Sequence, residues 1–182
     1  AIPRRQRQMC IRDSVWWSGS ENDVLPAGDK ATGYKALAFH AVNSDFPIFD
    51  DIQKYVVDRG KAAGAGDQIG TVLYNRGMYN AMLITEAART AQAIAGKSNI
   101  SQADMIKGFE ALEMTEEKMA ALGLPGFGPS FSVSCENHGG DGMVAVAQWD
   151  AGAGKWSIVS DFQASDMSVI QPLIDADSGA FA

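Results

Sequence analysis

The sequence is poor in cysteine, in positive charge and in long apolar runs. Its two cysteines, Cys10 and Cys135, cannot build a disulfide scaffold. Lysine and arginine number 15 against 22 aspartates and glutamates, for a net charge of −7. A chain this acidic lacks the basic face that displaces counterions from phosphates, so no nucleic-acid partner is expected. No run approaches the roughly 18 consecutive apolar residues of a membrane-crossing helix, so the chain is not expected to span a membrane. Phosphate loops are missing as well. In Gly64-Ala65-Gly66 the third glycine of a dinucleotide fingerprint is misplaced and the run follows a helix. Lys155 sits in a turn with no serine or threonine after it. No nucleophile elbow and no paired carboxylates stand out. What remains is an ordinary globular balance, 46% hydrophobic and 20% charged.

Residues 1–14 differ from the rest. Arg4, Arg5, Arg7 and Arg12 against Asp13 give this segment +3, which leaves −10 for residues 15–182. The stretch has no apolar core or cleavage site of a signal peptide. It resembles the translated adapter scars left at contig ends and is expected to be non-native; the other reading is a basic N-terminal arm.

Val15-Trp16-Trp17-Ser18 reads as a buried strand that runs into a polar loop. Pro26 then opens an expected helix over 27–42, with Tyr34, Leu37, Ala38 and Ala41 on one face. A second helix is expected from Pro47 to Arg59, closed by Gly60. The longest spans Thr71 to Ala95, with one stripe through Val72, Tyr79, Leu83, Ala87 and Ile94. A second stripe, through Tyr74, Met78, Ala81 and Thr85, reads as largely enclosed, and Gly77 as a point of close approach. Ser101 with Asp104 makes a capping box for a helix to Leu112, whose core side is Met105, Phe109 and Leu112. Thr115 caps a short helix that ends at Gly123. The period then changes to two: Phe131–Cys135 reads as a strand, and Met143–Trp149 with Trp156–Phe162 as a hairpin. In it Trp149 and Trp156 pair across strands. A last helix runs over Met167–Asp175, bent by Pro172.

Two places invite a binding reading. One is Trp17 to Glu21, where Trp17 offers an apolar wall and Glu21 a carboxylate for a ligand ammonium; the other reading is a hinge loop with a surface acid. The second is Tyr74-Asn75-Arg76 at the start of the long helix, suited to a small anionic or amide-bearing ligand; the other reading is core for Tyr74 and solvated partners beside it. Cys135, His138 and Asp141 form no complete metal or nucleophilic set and read as a solvated loop beside a buried thiol. His40 reads as a surface or satisfied residue.

From Val15 onward these segments resemble the carboxyl-terminal half of a type I periplasmic solute-binding protein. The similar group is the branched-chain amino acid (Leu/Ile/Val) and amide-binding components of ABC importers. Residues 15–21 resemble the strand and connection between lobes, and Pro26-Ala27-Gly28 with Gly33-Tyr34 the segment that follows. Thr71–Asn75 through Ala81 resembles the long helix whose tyrosine borders the ligand cleft. Phe131–Cys135 resembles the return crossover, and Gln148-Trp149-Asp150 with Trp156 the terminal hairpin.

The resemblance implies an α/β fold of two lobes, each a doubly wound parallel sheet, joined by three crossovers and incomplete here. Residues 15–23 would be a strand and crossover, 24–130 the helical part of the first lobe, and 131–182 the return crossover, hairpin and terminal helix of the second. Helices parted from the sheet of the first lobe would expose their apolar faces. Tyr74 would border the ligand, with Glu21, Asn75 and Trp17 as further contacts. The implied function is capture of an amino acid or similar small polar solute in the periplasm, followed by delivery to the membrane subunits of an ABC permease. No catalysis, cofactor or metal is expected. A receptor's ligand-sensing domain of the same fold, and a doubly wound enzyme with its catalytic half elsewhere, are the other readings.

Overall fold

The computed structural model describes residues 19–64 and 66–180, apart from the side chain of Ala180. The arginine-rich segment 1–14, with Cys10, and the expected strand over 15–18, with Trp17, lie outside the described residues.

Helix α1 (Glu21–Val24) begins at Ser20, whose N–H and hydroxyl both donate to the Asp23 carboxylate, at 3.0 and 2.6 Å. A 3-10 segment, Leu25–Ala31, follows and kinks at Gly28 with φ of 55°. Then comes strand β1 (Lys35–Ala38). The helix expected over 27–42 is therefore not formed. Gly28 and Gly33 take positive φ, which breaks a helix twice, and the burial alternates along β1, with Ala36 and Ala38 inside and Leu37 out. The decisive partner is distant: β1 pairs antiparallel with β4 (Ala145–Asp150), Lys35 opposite Gln148 and Ala38 opposite Ala145.

Helix α2 (Pro47–Ile52) has proline in its first turn and continues as a π-helical turn, Gln53–Val57, that ends at Gly60. A 3-10 turn at Gly66–Gln68 leads into α3 (Val72–Ala95). The Thr71 hydroxyl accepts the Tyr74 N–H, and Gly96 closes the helix in the left-handed region. Helix α4 (Gln102–Glu110) starts at the expected Ser101–Asp104 capping box, and Lys97 at 2.9 Å adds a cation to that carboxylate. It stops two residues short of Leu112. Strand β2 (Glu113–Met114), helix α5 (Glu116–Ala121) capped by Thr115, and strand β3 (Phe131–Ser132) come next. β2 and β3 pair antiparallel, and this ladder is shorter than the strand expected over 131–135. β4 and β5 (Lys155–Ile158) form the expected hairpin with Trp149 opposite Trp156, and α6 spans Met167–Ala180 with Pro172 inside it.

The chain thus mixes helices with a three-stranded sheet of order β1-β4-β5, and every strand pair among the described residues is antiparallel. Two hydrophobic clusters organise it. One joins Val24, Ala36, Ala38, Val42 and Val72 to the tryptophan pair of the sheet. The other gathers Phe46, Phe49, Met82, Met114, Met119 and Phe127 among the helices. Helices α3 and α4 approach closely at Gly108, where an added Cβ would collide with the Ala87 carbonyl oxygen and with Ala91. Gly77, expected to mark such an approach, faces open space instead. The expected stripes of α3 are only partly buried: Ala87 is inside, whereas Ile94, Ala81 and Thr85 are exposed. Phe109, expected in the core, is exposed too. Among the described residues no helix is long and apolar enough to cross a membrane.

Candidate functional site

The described residues that the sequence singled out for ligand binding lie around the start of α3, where Glu21 and the Asn75 Nδ2 bond to the backbone and the buried Asn75 Oδ1 has no partner. The Glu21 carboxylate accepts the Val72 N–H at 3.2 Å from each oxygen, so it serves as a remote cap for α3. Asn75 is fully buried, and its Nδ2 donates to the carbonyls of Ala41 and Asn43 at 2.9 and 2.8 Å. The Tyr74 ring packs edge-on against Phe49 at 5.7 Å, and burial raises its hydroxyl pKa. Tyr74 also borders a hollow of about 460 Å³ beside Ile52, Val57, Gln68 and Ile69. The Arg76 guanidinium stands over the Phe39 ring at 6.0 Å; burial lowers its pKa and Asp23 opposes that shift.

His40 is buried rather than at the surface. Its Nδ1–H donates to the Ala41 carbonyl at 2.8 Å, a tautomer that the carbonyl acceptor imposes. Its ring stacks on Phe127 at 5.9 Å. Burial pushes the imidazole pKa down to about 4, and the Arg76 charge adds to the fall against the backbone bond. The Ala41 carbonyl thus receives both His40 and Asn75, while its N–H donates to the Phe127 carbonyl at 2.7 Å. These bonds lock the passage from β1 into the helical cluster.

On the other side of this junction lies a larger cavity, of about 510 Å³. Phe39 comes from the end of β1, Tyr79 and Leu83 from α3, Ile106 and Phe109 from α4, and Phe131 from β3. Phe39 meets Tyr79 edge-on at 5.3 Å, and Tyr79 lies 6.3 Å from Phe131. Burial pushes the Tyr79 hydroxyl pKa up to about 12, which keeps it protonated across the usual range. Polar groups come from Glu110 and from the loop His138-Gly139-Gly140-Asp141-Gly142. His138 Nε2 stands 3.7 Å from the Glu110 carboxylate. Cys135 in the same loop is exposed, not the buried thiol expected. Among the described residues, no group of three or more potential ligands is placed to hold a metal.

Of the singled-out residues that are described, His138 and Asp141 line this cavity, whereas Glu21, Tyr74 and Asn75 do not. Sequence reading passed over its wall because the contributing residues come from separate segments. The one local signal was Phe131 next to a glycine-rich loop that carries an acid and a histidine. A volume of several hundred cubic ångströms with apolar walls and a few polar groups is the usual form of a small-molecule site.

No protein-family model matches the chain, and no curated protein matches it. Two solved structures do. One is described as an ABC transporter permease from the Pseudomonas fluorescens group; it is 35% identical over 92% of this chain, with a TM-score of 0.83. The other is a branched-chain amino acid ABC transporter from Thermus thermophilus with bound valine, 18% identical over 90% of this chain, with a TM-score of 0.61. The chain spans 40% of the first and 42% of the second, so it corresponds to about two fifths of either protein. By fold, this chain is similar to part of each of these two ABC transporter proteins.

Proposed function

We propose that this chain is part of a type I solute-binding component of an ABC import system. It captures an amino acid or similar small polar solute in the periplasm and delivers it to the membrane subunits of a permease. The observation that carries this reading is the 35% identity, sustained through 92% of the chain at a TM-score of 0.83, to an ABC transporter protein. The fold shared with a valine-bound transporter protein supports the solute class.

On this reading the chain binds and does not catalyse. Tyr74 borders the solute cleft, while Glu21 and Asn75 act through the backbone they hold.

Thermal unfolding of the longer native protein, measured against a panel of amino acids, amides and urea-like solutes, tests the proposal. A ligand at a hundred times its Kd stabilises the folded state by about 2.7 kcal/mol. At least one solute class is expected to raise the midpoint in a concentration-dependent way. A panel without any stabilising member overturns the proposal.

A further inference from the structure

The 510 Å³ cavity carries a chemistry more selective than its apolar walls suggest. Its charged lining residues are Glu110, Asp141 and His138, and no lysine or arginine is among them. Two of them, Glu110 and Asp141, are of acidic type. Glu110 keeps 31% of its side chain accessible, so its carboxylate can be reached by a ligand as well as by His138. Glu110 is also the last residue of α4, and the carbonyls at a helix C-terminus add partial negative charge there. The aromatic faces of Phe39, Tyr79, Phe109 and Phe131 supply both apolar area and a quadrupole that attracts cations. A solute carboxylate would meet two side chains of acidic type and neither lysine nor arginine. An ammonium would meet opposite charge, a favourable helix end and aromatic rings together.

We propose that this cavity binds a small organic cation with an apolar or aromatic body. The ammonium lies by Glu110 and Asp141, and the body packs against Tyr79 and Phe131. The assignment goes beyond the import reading, because Tyr74, which borders the cleft of that reading, does not line this cavity.

Calorimetric titration of the longer native protein with phenethylammonium tests this, with 3-phenylpropionate as the match of opposite charge. Phenethylammonium is expected to bind saturably and about tenfold or more tighter than 3-phenylpropionate. That preference is expected to shrink as salt is added. The double variant Glu110→Gln, Asp141→Asn is expected to weaken phenethylammonium binding about tenfold and erase the preference. Ile106→Trp, at a half-exposed position on the wall, is expected to fill the cavity and block both probes while the circular dichroism spectrum stays native. Equal binding of the two probes, a preference that survives the double variant, or no saturable binding overturns the assignment. The failures separate. An amino acid that stabilises the protein equally with and without Ile106→Trp, while phenethylammonium does not bind, overturns the cavity assignment and leaves the import reading standing. Phenethylammonium binding blocked by Ile106→Trp, with no stabilising amino acid or polar solute, upholds the cavity and overturns the import reading.

Discussion

The Glu21 carboxylate receives the Val72 backbone N–H on both of its oxygens across 51 residues of chain. The first N–H groups of a helix have no partner within it, and a carboxylate there also meets the positive end of the helix dipole. Removing the group by Glu21→Ala is expected to lower stability by about 1–2 kcal/mol. Glu21→Gln keeps an acceptor and loses the charge, so its loss is expected to be smaller. Urea midpoints of the two variants check the ranking.

Asn75 is a second tie between α3 and the segment after β1. Its Nδ2 reaches two carbonyls, so the amide orientation is determined: a flipped amide would set oxygen against oxygen. Asn75→Ala is expected to cost about 1–3 kcal/mol, because the Asn43 carbonyl loses its donor and the Ala41 carbonyl keeps only His40. Asn75→Asp, nearly the same in shape, is expected to cost more, since a buried carboxylate would face those acceptors. A smaller loss for Asp than for Ala in denaturant unfolding would contradict this.

His40 makes the fold sensitive to acid. Its pKa falls from 6.5 when unfolded to about 4 when folded, so the folded state favours the neutral ring. The associated stability is complete above pH 6.5 and is lost as the pH drops toward 4, about 3 kcal/mol in order of magnitude. His40→Asn keeps a donor for the Ala41 carbonyl and removes the titration. The variant is expected to be less stable at pH 7 and to show a flatter stability profile between pH 6.5 and 5, where few carboxylates titrate. An unchanged slope would place the acid sensitivity on another group.

Two helix glycines are expected to respond in opposite ways to alanine. Gly77→Ala meets open space and gains helix propensity, for a stabilisation of about 0.5–1 kcal/mol. Gly108→Ala drives a methyl group into the α3 backbone and is expected to cost more than that gain, as overpacked cores do by about 1–3 kcal/mol. Thermal midpoints of the pair check both signs, and a loss at Gly77 would reveal another backbone against that face.

Local chemistry was readable in the sequence, and distant partnership was not. The caps at Ser101 and Thr115 were legible because each acts within three residues. The β4–β5 hairpin was legible from its alternation and its tryptophan pair. Residues 35–38 were misread because Lys-Ala-Leu-Ala suits a helix as well as a strand, and only β4, far along the chain, decides between them. Glu21 was recognised as a carboxylate after the first expected strand and Asn75 as a polar group at the start of α3, but their backbone partners at Val72, Ala41 and Asn43 carry no side-chain signal. The cavity escaped notice because its wall is assembled from β1, α3, α4 and β3 only after folding.

The pairing of β1 with β4 has a kinetic consequence. Ala38 meets Ala145 across about one hundred residues, an interval that contains α2 through α5. Closing a loop of that length costs entropy that only the finished contact returns, whereas the β4–β5 hairpin can form on its own. The helical cluster can assemble as a unit within the loop and bring the two strands within reach. Refolding followed by pulsed hydrogen exchange should then protect the amides of Ser157 and α3 early, with those of β1 among the last to become slow.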